Sequence, residues 1–210
     1  AGVAHELNEP LSNILGIAQL IKKDQELSAT ISKDVDGIVD ASLNAREVIK
    51  KLLLFARQAP SKKEMVNLNQ LIIDGLHFFE ARCAKEGIEL IRFLSNDLPQ
   101  INGDQGQLNQ VLVNLVVNAI QAMPGGGKLT IETKTVNDYI FLIVEDSGIG
   151  MSKDVLKKIF IPFFTTKDIN EGTGLGLSVV HGIITSHKGM IRAESSVAKG
   201  SRFEIKLPIT

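Results

Sequence analysis

Two different spacings of apolar residues meet at one break in this chain, and each spacing limits what its part can fold into. Up to about residue 58, apolar residues recur alternately three and four positions apart. The first such run consists of Ala4, Leu7, Leu11, Ile14, Ala18 and Ile21, and a second extends from Ile31 to Ala56. This spacing predicts two helices, each with one apolar seam. From Met65 onward, stretches with helical spacing alternate with stretches that have the spacing of strands.

Residues 1–58 are therefore predicted to form an antiparallel hairpin of two helices. A single hairpin with such a narrow apolar face buries little surface, and a second copy can cover the remainder. We therefore expect a homodimer in which two hairpins form a four-helix bundle. A linker is predicted at residues 59–64, because Pro60 and the small and charged residues around it do not continue a helix.

The remaining residues, 65–210, alternate helical stretches with short apolar runs that have the spacing of strands. Helices are predicted at about 68–86, 104–122, 152–158 and 174–187. Strands are predicted at 88–93, 128–136, 139–145, 190–194 and 202–207. Asn137-Asp138 predicts a tight hairpin turn between two of these strands. The predicted fold class is thus a helical part followed by an α/β sandwich with a mixed sheet, without the βαβ alternation of a Rossmann fold.

Composition excludes some functional classes. The formal net charge of −1 gives no polyanion-binding surface, so nucleic acid is not an expected partner. No apolar run approaches the roughly 20 residues that span a bilayer, so no membrane segment is expected within this sequence. The single cysteine, Cys83, is expected to be a core residue, which fits a reducing compartment. The chain begins within a helical pattern at Ala1, which predicts a piece of a longer protein.

His5 and its neighbours form the first cluster of chemically functional residues. His5, Glu6 and Glu9 all lie off the apolar seam, so their side chains are expected to face water. A neutral imidazole is a good nucleophile near neutral pH, and an adjacent carboxylate can take or orient its other proton. Pro10 falls inside the predicted helix, where a proline typically bends the helix.

Polar side chains with a second kind of chemistry occur in the α/β half. Asn114 and Asn118 stand one helical turn apart and so face the same way, and their uncharged carbonyl oxygens suit Mg²⁺. Asp146 ends an apolar strand, where it can accept a hydrogen bond from an exocyclic amine. Gly148 and Gly150 follow it and allow the backbone to approach a flat base closely.

Two later segments complete this set of motifs. Residues 159–167 place three phenylalanines around Pro162, which suits the apolar anchor of a mobile flap. Residues 172–177 contain Gly172, Gly174 and Gly176 directly before a predicted helix. Backbone N–H groups exposed at such a helix start suit a phosphate group.

The order and spacing of these motifs resemble those of bacterial sensor histidine kinases over essentially the whole chain, from His5 to Pro208. The heptapeptide that begins at His5 is similar to the family's phosphoacceptor motif, the H box. The four later segments are similar to the N, G1, F and G2 boxes of its ATP-binding domain, which has the Bergerat (GHKL) fold. The resemblance implies that His5 carries a phosphoryl group and that Glu6 acts as its general base.

The resemblance also implies how ATP and Mg²⁺ are bound. Asp146 would read adenine, Asn118 would ligate Mg²⁺ with support from Asn114, and residues 165–173 would form the ATP lid. The nucleotide-binding residues that it implies are Asn114, Asn118, Asp146, Gly148, Gly150, Phe160, Thr166, Lys167, Gly172, Thr173, Gly174, Leu175 and Gly176.

The sequence departs from the family's pattern at two positions. Glu9 stands where the family often has a threonine or asparagine that positions water for dephosphorylating the partner regulator. Gln121 stands where many relatives have a lysine or arginine that touches phosphate, so the contact at position 121 is expected to be weaker.

By the same resemblance, the expected activity is autophosphorylation of His5 followed by transfer to an aspartate on a response-regulator receiver domain. The expected location is the cytoplasm, as the catalytic portion of a sensor whose other parts can attach to a membrane. A GHKL ATPase of the gyrase, Hsp90 or MutL type is the less favoured alternative. Those relatives carry a glutamate that activates water one turn before the metal-binding asparagine, where this chain has Asn114, which is a poor base.

The sequence leaves one further interpretation open and excludes another. A dimerisation or scaffold module that binds nucleotide without transferring phosphate stays open as an alternative. A P-loop at 125–128 is excluded, because Ala122 and Leu129 replace the glycine and the serine or threonine that this motif needs.

Overall fold

The computed structural model describes residues 2–22, 28–56, 62–167 and 173–209. Within these ranges, the side chains of residues 2–8, 44 and 46–56 are outside the description. The contacts divide the chain into two compact units. The first contains the two N-terminal helices, and the second contains the elements from residue 64 onward.

The first unit consists of helix α1, Gly2–Ile21, and helix α2, Ala29–Ala56. Helix α1 continues through Pro10. The two helices pack against each other, and the buried side chains between them are Leu15, Ala18, Val35 and Ser42. Lys22 Nζ donates to Asp36 Oδ1 at 2.5 Å near the end of α1, and this contact raises the pKa of the Lys22 ammonium. The predicted helical hairpin is thus confirmed.

The apolar seams of this hairpin are only partly buried within one chain. Ala18, Val35 and Ser42 of the predicted seams are buried, as expected. Other apolar side chains of the two helices are at least two-fifths exposed: Ile14, Ile17, Leu20, Ile21, Ile31, Ile38 and Leu43. One hairpin therefore covers the inner part of its apolar surface and leaves the rest in contact with water.

The second unit contains four helices and seven strands among the described residues. The helices are α3, Leu68–Lys85; α4, Gln105–Gln121; α5, Lys153–Leu156; and α6, Gly176–Ser186. The strands are β1, Glu64–Val66; β2, Ile88–Leu94; β3, Ile101–Gly103; β4, Gly127–Val136; β5, Tyr139–Asp146; β6, Met190–Ser195; and β7, Ser201–Pro208.

Five of the strands form one mixed sheet in the order β2-β4-β5-β7-β6. Strands β2 and β4 are parallel, and the other neighbouring pairs are antiparallel. The predicted turn at Asn137-Asp138 joins β4 to β5, and Asn137 adopts the left-handed conformation that such a turn needs, with φ +53°. The predicted mixed sheet is confirmed.

Strands β1 and β3 form a separate two-stranded antiparallel sheet that the sequence did not predict. Each has only three residues, which is too short for an alternating pattern to stand out. Met65 of β1 pairs with Asn102 of β3, so the segment that leads into the second unit is hydrogen-bonded to the residues just before α4.

Helix α4 lies at the centre of this unit and contacts α3, α6 and the sheet. Its buried residues are Leu108, Val111, Leu112, Leu115, Val116, Ala119 and Ile120. They meet the inward-facing side chains of the sheet, such as Leu129 and Ile131 of β4 and Ile205 of β7, which have no exposed surface. The outward residues of β7, including Arg202 and Glu204, are half-exposed, so alternation along the strand separates core from surface.

Local sequence signals fix the ends of the helices that surround the core. Asn67 caps α3 by accepting from the Gln70 N–H at 3.1 Å, and Asp104 caps α4 by accepting from the Gln107 N–H at 3.0 Å.

Cys83 of α3 is 1% exposed, and burial raises the pKa of its thiol, as expected for a core residue. Among the helices of the described ranges, none combines the length and apolarity that a bilayer-spanning segment requires.

Candidate functional site

A buried carboxylate lies at the end of the central strand β5. Asp146 is 5% exposed, and its Oδ1 accepts from the Gly148 N–H at 2.9 Å. Burial raises the pKa of this carboxyl group, while hydrogen bonds from Gly148 and from Ser201 of β7 partly offset the increase. Ser201 pairs with Asp146 across the sheet, 55 positions along the chain, so nothing local in the sequence indicates this partner.

The loop after β5 lies directly against the end of α4. The Ile149 N–H donates to the Ala122 carbonyl oxygen at 2.9 Å, and a Cβ added to Gly148 would lie 2.3 Å from that oxygen. Only glycine fits at position 148, and the close approach that requires it is to the Ala122 carbonyl oxygen, whereas the sequence predicts a close approach to a flat base. The Ala198 N–H donates to the Ile149 oxygen at 2.7 Å, and Gly150 follows with φ +63°. The loop is therefore held on both sides beside the Asp146 carboxylate.

Asn114 and Asn118 lie on the edge of α4 that faces the start of α6. A Cβ placed on Gly176 would lie 3.6 Å from Asn114 Oδ1 and 3.9 Å from Asn118 Nδ2. Asn114 Nδ2 is buried and finds no hydrogen-bond acceptor among the described residues. A buried unpaired donor costs about 1–3 kcal/mol, so this amide indicates a place where a ligand or water supplies the acceptor.

Helix α6 begins at this point without a side-chain cap. Its N-cap residue, Leu175, is 2% exposed and offers no hydrogen-bond acceptor to the first turn. The Ser178 hydroxyl donates to the Leu175 carbonyl oxygen at 2.9 Å, so it is directed away from the first N–H groups. The N–H groups of this first turn, beginning at Gly176, are available to an anion, and the helix dipole favours negative charge there.

The phenylalanine-rich segment is anchored by fewer of its residues than the sequence predicted. Ile159 is buried, and the Phe160 ring lies 5.4 Å from the His181 ring of α6. Phe163 is 57% exposed and has φ +66°. The Phe163 backbone lies against Gly174, where an added Cβ would lie 2.4 Å from the Phe163 carbonyl carbon, so position 174 accepts only glycine.

The chain after Phe164 turns towards the end of α4. The Lys167 N–H donates to Thr165 Oγ1 at 3.1 Å, and Lys167 Nζ donates to Gln121 Oε1 at 2.5 Å. Thr166 between them is exposed. The sequence did not link Gln121 to Lys167, although Gln121 stands three positions after Asn118 and so shares its edge of the helix.

The structure describes some of the other predicted site residues and leaves others outside the described ranges. Thr173 and Gly174 are half-buried just before α6, whereas Gly172 lies outside the described residues. His5 and Glu6 lie within helix α1, but their side chains are outside the description. The predicted site residues from Asn114 to Lys167 and from Gly174 to Gly176 thus lie within the second unit, and the roles of His5 and Glu6 stay predictions.

Taken together, these groups form a site with two chemically different ends. Asp146 at one end can accept a hydrogen bond from an N–H donor on a flat ring that lies over the Gly148 loop. The uncapped start of α6 and the Lys167 ammonium at the other end suit a negatively charged group. Within the described ranges, no three His, Cys, Asp or Glu side chains come together to hold a metal ion.

Two family models match the chain. The model described as "Histidine kinase-, DNA gyrase B-, and HSP90-like ATPase" matches residues 103–210, which contain the site described above. The model described as "His Kinase A (phospho-acceptor) domain" matches residues 1–60, which contain the helical hairpin and His5.

Known proteins and solved structures show the same likeness. The chain is 38% identical over 222 residues to Sensor kinase CckA of Brucella abortus (strain 2308), covering 99% of this chain and 23% of that protein. The structure of full-length ShkA in complex with AMPPNP matches with a TM-score of 0.77 and 26% identity, covering 100% of this chain and 45% of that one. The structure of histidine kinase ThkA in complex with response regulator protein TrrA matches with a TM-score of 0.72 and 30% identity, covering 100% of this chain and 60% of that one. The chain therefore spans about a quarter of the curated relative CckA.

We expect Asp146→Asn to stabilise the free protein in a pH-dependent manner. Burial raises the pKa of the Asp146 carboxyl above its ordinary value of 3.8, so the folded state binds this proton more tightly than the unfolded state. The free energy of unfolding of the wild type therefore falls as the pH rises from about 4 towards the raised pKa, whereas the asparagine variant has no proton to lose. The stability advantage of the variant is expected to widen over that range and then stay constant.

The unfolding can be followed by the fluorescence of Tyr139, the single tyrosine in a chain without tryptophan. Tyr139 lies in β5, so its signal reports on the second unit. The exposed Asp97→Asn serves as the control and is expected to show no such widening. An advantage of Asp146→Asn that shrinks with rising pH would contradict the argument.

Proposed function

Because the chain belongs to the histidine kinase family, we propose that it acts as the catalytic core of an ATP-dependent protein histidine autokinase in a two-component signalling system. The observation that carries this proposal is the two-ended site of the second unit. A buried carboxylate suited to a base lies beside a loop that is hydrogen-bonded to the end of α4, and an uncapped helix start suited to phosphates lies beside the Asn114 and Asn118 amides of the same helix.

We propose that ATP lies along this site with its base at Asp146. The carboxylate accepts a hydrogen bond from the exocyclic amine of adenine, and Gly148 and Gly150 leave room for the ring. The phosphates lie towards α6, where Gly174 and Gly176 keep side chains away from the backbone N–H groups. The proposed nucleotide contacts of the lid and its flanks are Phe160, Thr166, Lys167, Gly172, Thr173 and Leu175.

The donor set of α4 fits Mg²⁺. The Asn118 side chain supplies a neutral oxygen, and magnesium sites in nucleotide-binding proteins use few protein ligands, with phosphate oxygens and waters completing the shell. Asn114, with its unpaired buried Nδ2, lies one turn away and can orient a water or a phosphate oxygen. Mg²⁺ held by Asn118 would neutralise part of the phosphate charge.

The proposed reaction is in-line attack of the neutral His5 imidazole on the γ-phosphorus of ATP. A nitrogen–phosphorus bond forms as the bond from phosphorus to the β,γ-bridging oxygen breaks, and ADP leaves with that electron pair. Glu6 takes or shares the proton on the other ring nitrogen, which offsets the positive charge that develops on the imidazole. Lys167 and the first N–H groups of α6 stabilise the phosphate charge.

We further propose that the phosphoryl group passes from His5 to an aspartate on a response-regulator receiver domain. The similarity to ThkA, whose structure was solved in complex with the response regulator protein TrrA, supports this partner. The cytoplasm is the proposed location, since that compartment supplies ATP and keeps a lone thiol such as Cys83 reduced. The proposed domain boundaries are residues 1–58 for the hairpin, 59–64 for the linker and 65–210 for the ATP-binding domain.

A homodimer through the hairpin is also proposed. The exposed apolar side chains of α1 and α2, among them Ile17 and Ile38, are 59% and 46% exposed within one chain. A second hairpin can cover them in a four-helix bundle, in agreement with the match of residues 1–60 to the His Kinase A model.

The dimer is tested by Ile38→Lys, which places a charge on the proposed interface. We expect sedimentation equilibrium to show a wild-type dimer at micromolar concentration and at least about tenfold weaker association in the variant. Asp40→Lys, on the same helix at an exposed polar position, is the matched control and is expected to stay dimeric. A wild type that sediments as a monomer would contradict the proposal.

The phosphoacceptor is tested by incubation with Mg²⁺ and γ-labelled ATP, followed by acid and base treatment. We expect the wild type to acquire a label that is lost in acid and retained in base, as phosphohistidine is. His5→Gln is expected to lose the label and keep ATP binding, since it removes only the nucleophile. The chain has four histidines, and His77→Gln, at an exposed position on α3, is the matched control that keeps the label. Label that persists in His5→Gln would move the acceptor elsewhere.

The adenine assignment is tested by base selectivity. Asp146→Asn replaces a hydrogen-bond acceptor by an amide that can also donate. The variant is therefore expected to bind ATP about tenfold or more weakly than the wild type, with a far smaller loss of affinity for GTP. The measurement is the ratio of ATP and GTP dissociation constants in the wild type and the variant, with Asp97→Asn as the control. An unchanged ratio would remove Asp146 from the base-binding role.

A further inference from the structure

The contact between Gln121 and Lys167 joins two parts of the site that are far apart in sequence. Gln121 is the last residue of α4, and Lys167 lies 46 positions later, after the phenylalanine-rich segment. Lys167 Nζ donates to Gln121 Oε1 at 2.5 Å, and Thr165 Oγ1 accepts from the Lys167 N–H at 3.1 Å. The lysine is therefore held at its backbone and at its ammonium group, and the second contact reaches α4.

The place of Gln121 on α4 gives this contact its significance. Residues three or four apart on a helix are neighbours, with Cβ atoms about 5–6 Å apart. Gln121 therefore lies beside Asn118, which in turn lies beside Asn114, and the two asparagines face Gly176. By holding the ammonium group, Gln121 brings a positive charge to the edge of the helix that faces the start of α6.

We infer that Gln121 is a positioning residue that holds Lys167 so that its ammonium group meets the phosphates of ATP. This inference rests on the proposed function. The weaker phosphate contact that the sequence predicts at position 121 is then offset by the Lys167 ammonium group. The cation comes from the Lys167 side chain, and the helix contributes the group that orients it.

A neutral amide is the side chain suited to this role. A glutamine oxygen accepts from an ammonium group without adding a negative charge beside it. A glutamate at position 121 would pair with Lys167 and repel the phosphates. A lysine there would repel Lys167, but it would bring its own cation to the same place.

This reasoning predicts a set of variants whose effects do not add. Gln121→Ala and Lys167→Gln are each expected to weaken ATP binding by about tenfold. Their affinity for adenosine is expected to be unchanged, since only the phosphates lose a contact. The double variant Gln121→Ala/Lys167→Gln is expected to bind ATP no more weakly than Lys167→Gln alone, because Gln121 acts through the lysine. Gln121→Glu is expected to bind ATP more weakly than Gln121→Ala.

The decisive variant exchanges the two side chains. Gln121→Lys/Lys167→Gln returns a cation and an amide to the same place in the opposite order, and we expect it to recover most of the ATP affinity that Lys167→Gln loses. This recovery would show that positions 121 and 167 reach the same phosphates, whereas the non-additive losses of Gln121→Ala and Lys167→Gln show that Gln121 acts through the lysine. Exposed positions away from the site supply the matched controls: Gln105→Ala, on the opposite side of α4, and Lys85→Gln on α3 are expected to bind ATP as the wild type does.

Equilibrium binding of ATP and of adenosine is measured for each variant, with Tyr139 fluorescence confirming that the second unit remains folded. Additive losses, an exchanged variant no better than Lys167→Gln, or an equal loss of adenosine affinity would overturn the role of Gln121. A wild type that binds neither ligand would overturn the proposed function and this role together. A wild type that binds ATP, with Gln121→Ala unaffected, would overturn only the role of Gln121.

Discussion

Helix α4 must bury one face and keep another chemically available, and the rest of the second unit depends on how it does both. Seven of its residues are buried against the sheet and the neighbouring helices. The edge between this face and solvent carries Asn114, Asn118 and Gln121 at intervals of four and three. Because the apolar packing fixes the rotation of the helix, it also fixes where these three amides are directed. The position of the site is thus a consequence of the core.

Several polar groups around this site lower the stability of the free protein. Asp146 is buried, with hydrogen bonds from the Gly148 and Ser201 N–H groups and from the Ser201 side chain to support its charge, and Asn114 Nδ2 is buried without an acceptor among the described residues. Helix α6 begins without a side-chain cap. Each of these features costs free energy in the free protein, and each is relieved by a ligand with an N–H donor at one end and negative charge at the other.

Most of the fold could be predicted from local sequence, because its elements carry strong periodic signals and clear ends. Asn67 and Asp104 mark the starts of α3 and α4, and Asn137 marks the β4–β5 turn. Strands β1 and β3 escaped prediction, since three residues each give no usable period and their pairing is long-range.

The site divides in the same way between what is local and what is not. Gly148 and Gly174 could be recognised, because close backbone approach leaves a signature in residue type. The exposure of Phe163 and the contact between Lys167 and Gln121 could not, because each depends on how one segment meets another across the fold. A sequence therefore indicates which chemical groups a site contains more readily than it indicates which of these groups contact one another.

The hairpin presents a different physical situation from the second unit, whose core is closed. Leu15, Ala18 and Val35 are buried between its two helices, yet Ile17 and Leu20 are about as exposed as surface residues. The apolar stripe is thus wider than one partner helix can cover, and hydrophobic free energy remains to be gained from a second copy. Since such a gain depends on protein concentration, the stability of α1, the helix that contains His5, is expected to depend on association. Under the proposed function, His5 then lies on a helix whose stability depends on the proposed dimer.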